Sequence, residues 1–110
     1  MPNPFGGMGN IGNLMKQAKK MQEDMQRVQA ELADERVEAT SGGGVVKAVV
    51  SGSGELIEVK IDRQVVDPDD VEMLEDLVTT AIREASEKAK ELAAERMQEV
   101  TGGLGLPGMF

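Results

Sequence analysis

Apolar residues stand at Ile11, Leu14, Ala18, Met21, Met25, Val28 and Leu32, spaced three, four, three, four, three and four. A strict heptad of this kind belongs to a helix that packs lengthwise against another helix. The rest of the chain offers only enough strand for one small sheet and one further helix. Most of the seam therefore lacks an evident partner within the chain, and assembly with a second copy is expected.

Composition points the same way. A chain of 110 residues fits one domain, and a domain of that size buries only about two thirds of its unfolded surface. The two aromatics, Phe5 and Phe110, lie in the glycine-rich ends, so the core must be built from Val, Leu, Ile, Ala and Met. Oligomerisation is a usual remedy for so thin a core. The chain has no cysteine and no histidine, which removes thiolate nucleophiles, imidazole bases and the usual ligands of zinc, copper or iron. No enzyme chemistry, metal or cofactor is expected. With no signal-peptide pattern and no membrane-length apolar run, a cytoplasmic address and no membrane contact are expected.

Residues 1–10, with Pro2, Pro4, Gly6, Gly7 and Gly9, read as a flexible arm. A single domain is expected over residues 11–101. Its first helix should run from about Ile11 to about Arg36, capped by Asn10 or Asn13. From Val37 the period changes to two, and Gly42-Gly43-Gly44 supplies positive-φ positions for a turn. Val45 to Ser51 reads as a central strand, Ser51-Gly52-Ser53-Gly54 as a second turn, and Leu56 to Ile61 as a third strand with Ile57, Val59 and Ile61 facing the core. Asp67-Pro68-Asp69-Asp70 then opens a second helix, with Asp67 as cap and Pro68 at its first position. That helix should persist to about Val100, and residues 102–110 form a flexible glycine-rich tail whose Leu104, Leu106, Met109 and Phe110 could dock on a partner. The expected class is α+β: a long helix, a three-stranded antiparallel meander, a second long helix, and a dimer from which the helices protrude.

The net charge is −8, but it is unevenly placed. Residues 1–36 hold five basic and five acidic groups, whereas residues 67–110 hold four basic and eleven acidic ones. Lys16, Lys19 and Lys20 lie off the heptad seam in a stretch that is purely basic up to Gln22. A solvated helix face is the plain reading of these lysines. The functional reading is a phosphate-contacting patch, doubled by dimer symmetry and extended by Arg27 or by Arg83, Lys88, Lys90 and Arg96 on the second helix. The dimer contacts fall to Leu14, Ala18, Met21, Met25, Val28 and Leu32. Other clusters have simpler roles: Asp67, Asp69, Asp70 and Glu72 sit where a helix start favours negative charge, and the glycine turns join strand to strand rather than strand to helix.

Asn13-Leu14-Met15-Lys16-Gln17-Ala18 with Met21-Gln22, Gly42 to Gly44 before a valine strand, Ile57 to Asp62, Asp67 to Leu77 with Glu75-Asp76-Leu77, Ala81 and Ala85, and the terminal Thr101-Gly102-Gly103-Leu104-Gly105-Leu106-Pro107-Gly108 together resemble the bacterial YbaB/EbfC nucleoid-associated proteins. The resemblance covers nearly the full length. It implies a homodimer likened to tweezers that binds duplex DNA with modest sequence preference at the nucleoid, affecting nucleoid organisation and transcription, and it implies no enzyme chemistry. The acidic second helix opposes DNA, so weak to moderate affinity is expected. The alternative is a coiled-coil interaction module acting with DNA repair or replication machinery.

Overall fold

The structure, a computed structural model, describes the backbone of residues 4–102 and the side chains of residues 11–101. The remaining ends, including nearly all of the expected tail, lie outside the described residues. The order is α1 (Pro4–Asp34), β1 (Arg36–Ser41), β2 (Val46–Ser51), β3 (Leu56–Ile61), a 3-10 turn (Arg63–Val65) and α2 (Val71–Gly102). The strands form one antiparallel sheet in the order β1-β2-β3. This is the expected α+β arrangement of helix, meander and helix.

The first helix departs from expectation at both ends. It begins at Pro4 rather than near Ile11, so most of the expected arm is helical. Proline suits a first helical position because its φ is already set and no N–H is needed there. The glycines that follow cost about 1 kcal/mol each relative to alanine, but lengthening an existing helix gains one hydrogen bond per residue. At its other end α1 stops at Asp34, and Arg36 already pairs with Ser51 in the sheet.

The start of α2 is also corrected. The Met73 N–H donates to Asp70 Oδ1 at 3.2 Å, which makes Asp70 the capping residue. Asp67 instead organises the turn before the helix: its carbonyl accepts from the Asp70 N–H at 3.0 Å and its Oδ1 from the Asp69 N–H at 2.9 Å. Pro68 takes the second position of that turn, where its fixed φ is equally suited. Asp62 caps the 3-10 turn by accepting from the Gln64 N–H.

The core lies between α2 and the first two strands. Ala81, Ala85 and Ala89 recur every four residues along one face of α2 and are at most 1% exposed; they meet Ala39 of β1 and Val46, Ala48 and Val50 of β2. Small residues let the helix axis settle close to the sheet. Ser41 anchors the same contact, its hydroxyl donating to the Leu77 carbonyl at 2.6 Å. Because α2 lies across β1 and β2, β3 is left outside its cover. Only Val59 of β3 reaches the core, through its pairing with Ala48. Ile57 and Ile61, expected to face the core, are each 42% exposed.

Two glycines are required by close approach. Gly42 has φ 60°, and a side chain there would meet Leu77. At Gly52 a Cβ would stand 2.7 Å from the Leu32 carbonyl oxygen and 3.1 Å from the Leu32 Cα. Those are backbone atoms, so no side-chain rotation relieves the clash. Gly52→Ala should lower stability by about 1–3 kcal/mol, read as a fall in the urea midpoint. Gly12→Ala should do the reverse by about 0.5–1 kcal/mol, since Gly12 is helical with nothing within 4 Å of the added carbon.

Helices of 31 and 32 residues span about 46–48 Å at 1.5 Å per residue, whereas the six-residue strands span about 20 Å. The helices overhang the sheet as expected, and the molecule measures 81 × 24 × 16 Å.

Candidate nucleic-acid interface

Among the described side chains of α1, those of residues 11–20 are exposed and burial begins at Met21. Val28 and Leu32 are buried and Met21 and Met25 half-buried, but Leu14 and Ala18 are exposed, and Ile11 and Met15 share that exposure. The heptad is thus divided: its C-terminal part meets α2, and its N-terminal part presents an uncovered apolar stripe. Lys16, Lys19 and Lys20 lie on the opposite side of the helix, since residues at i, i+3 and i+4 share a face. All three are exposed.

The other candidate cations are engaged to different degrees. Arg27 is flanked by Asp24 at 3.0 Å and Glu31 at 3.6 Å. Arg96 crosses from α2 to bond the Glu35 carboxylate, with Glu31 at 3.8 Å. Lys20, Arg27 and Arg96 therefore share a cleft between the two helices, interleaved with Asp24, Glu31 and Glu99. Acids and bases there largely neutralise one another, and Arg96 ties α1 to α2. The i, i+4 pair Glu31 and Glu35 is visible in the sequence, but its role as a clamp on Arg96 is not.

On α2, Lys88 donates to the Glu38 carbonyl at 3.3 Å, which draws it towards the β1 edge. Arg83 and Lys90, seven residues apart, share the outer face, and both are exposed. Beside them run Glu84, Glu87, Glu91 and Glu95, also exposed. The eight candidate cations thus do not form one surface. The structure separates them into the lysine face of α1, a neutralised cleft, and scattered positions on an acidic helix. The lysine face and the cleft meet at Lys20, so of its three lysines Lys16 and Lys19 lie clear of the cleft's carboxylates.

Among the described residues, no group of acidic side chains is placed to hold a metal ion, and no helix is long and apolar enough to cross a membrane. The arrangement offers exposed lysines and an exposed apolar stripe on a protruding helix.

The model of the YbaB/EbfC DNA-binding family matches residues 8–104. A nucleoid-associated protein of Ruminiclostridium cellulolyticum is 53% identical over 109 residues, covering 97% of this chain and 95% of its own. One from Acetivibrio thermocellus is 53% identical over 107 residues, covering 96% and 93%. Among solved structures, an uncharacterized protein from Helicobacter pylori shares the fold with a TM-score of 0.61 at 22% identity, over 71% of this chain and 90% of that one.

Proposed function

The chain belongs to the YbaB/EbfC DNA-binding family, and from that membership we propose that it acts at the nucleoid in the cytoplasm, binding duplex DNA as a homodimer and affecting nucleoid organisation and gene expression. The family is a DNA-binding one rather than an enzyme family, and its relatives carry the name nucleoid-associated protein. The observation that carries the reading to particular residues is the protruding part of α1, with lysines on one side and an uncovered apolar stripe on the other. Two copies joined along that stripe would turn both lysine faces outwards, where they could meet phosphates.

Contacts of this type position a protein on DNA without reading its sequence. No described element offers base-reading side chains on a groove-sized module, so little sequence discrimination follows. A gel shift on duplex DNA across a salt series tests the reading. Retardation at low salt that is lost steeply as salt rises is expected. No shift even at low salt would favour the coiled-coil module that acts through a protein partner.

The dimer has its own test. Sedimentation equilibrium at micromolar concentration should give about twice the 11.8 kDa chain mass. Leu14→Asp should return the mass to that of one chain while circular dichroism keeps the fold, because Leu14 is 62% exposed in the single chain. Val28→Asp, at a position 5% exposed, should instead unfold the protein, since an unpaired buried charge costs several kcal/mol. A parent that sediments as a folded monomer overturns the dimer.

A further inference from the structure

A groove of about 670 Å³ opens where the end of α1, the β2–β3 turn and the C-terminal half of α2 converge. Leu32, Ala89, Ala93 and Met97 supply the apolar part of its lining, and Ser86 and Lys90 are among the polar residues that also line it. Its volume suits an occupant of several side chains, and its walls are mainly apolar. The methylene stem of Lys90 adds to the apolar surface while the ammonium can stay in water.

We propose that this groove is the docking site of the chain's own residues 103–110, which turn back at Gly102-Gly103 and lay Leu104, Leu106, Met109 and Phe110 along α2. Reach permits it. The groove residues Ala93 and Lys90 lie nine and twelve positions before Gly102, or about 14 and 18 Å back along the helix. Eight residues span up to about 26 Å when extended, so the segment can pass the whole groove. Gly103 supplies the freedom to reverse, and Pro107 keeps the segment from simply continuing as helix.

Chemistry agrees with reach. Residues 103–110 carry no charged side chain, and four of the eight are large and apolar, which suits a groove whose walls are mainly apolar. Being tethered a few residues away, the segment is present at millimolar effective concentration, which favours it over any free competitor. A second copy already has a different apolar surface to meet, the stripe at Ile11, Leu14 and Ala18. Docking would order a segment whose glycine content alone predicts a flexible tail, and it requires no DNA.

The absence of cysteine allows a nitroxide to be placed at a single site in the full chain. Ala33→Cys and, separately, Ala94→Cys put it beside the groove at exposed positions outside its lining. In a 15N-labelled, spin-labelled chain diluted into excess unlabelled protein, the amide signals of residues 104–110 should lose intensity with both labels and recover on reduction. In the complementary mixture, with the spin label on the unlabelled chain, those signals should stay sharp. Leu106→Ser with Phe110→Ser should restore the lost intensity while leaving the remaining spectrum in place. Broadening only in the complementary mixture would assign the tail to a neighbouring copy's groove and overturn the proposal. So would tail signals that stay sharp in both mixtures, or broadening that survives the double serine variant.

Discussion

Replacing Lys16, Lys19 and Lys20 together with glutamate should abolish duplex DNA binding while leaving fold and assembly intact. The three side chains are exposed and sit on the side of α1 opposite its apolar stripe, so nothing in the core or the stripe depends on them. Each phosphate neutralised by a cation contributes about −0.9 to the slope of log affinity against log salt, or roughly −5 if six lysines of a dimer make contact. Reversing these charges removes that attraction and adds repulsion to a chain already at −8. The structural cost is small: lysine and glutamate have similar helix propensity, and the new like-charge neighbours, such as position 19 with Glu23, cost about 0.2–0.5 kcal/mol each. A gel shift across the salt series, with sedimentation as the control for assembly, decides the matter. A triple variant that binds like the parent at every salt concentration would show the lysines to be a solvated face only.

Ala85→Leu should be the most damaging conservative change in the core. Ala85 is 0% exposed, with Ala81 and Ala89 one turn away on either side and the β1–β2 face directly beneath. A leucine brings three additional carbons into a contact that closes through alanines, and α2 must lift to admit them. Lifting also strains the 2.6 Å bond from the Ser41 hydroxyl to the Leu77 carbonyl. Overpacking of this kind costs about 1–3 kcal/mol and sometimes more, against a total of about 5–15 kcal/mol for a typical domain. Urea denaturation should show a clear fall in midpoint. Thr80→Leu, on the exposed side of the same helix, should stay within about 0.5 kcal/mol of the parent; equal losses at both positions would refute the packing argument.

The elements of this fold are legible because their signals are local. The valine run of β2, the positive-φ glycines at 42–44 and the apolar spacing of both helices each report on a few neighbouring residues. What the sequence conceals is set by distant parts of the chain. Alternation tells that Ile57, Val59 and Ile61 share a face, but whether that face is covered depends on where α2 comes to rest, and it rests on β1 and β2. Asp67-Pro68-Asp69-Asp70 offers three carboxylates for one cap, and the turn geometry selects Asp70. The basic character of Arg96 is plain, whereas its engagement with Glu35, sixty-one residues earlier, is not. The lysine face was readable as a cluster, whereas the cleft that Lys20 shares with Arg27 and Arg96, where both arginines meet carboxylates, was not.

The overhanging helices also govern how the protein moves through solution. A compact chain of this length has a radius of gyration of about 13 Å, whereas this one has 21.9 Å. Friction rises with such elongation, so a single chain would elute early from a sizing column, at the volume of a heavier globular standard. Elution volume would therefore mistake a monomer for a dimer, and the stoichiometry of this protein must be read from mass itself, by sedimentation equilibrium or light scattering, and not from size.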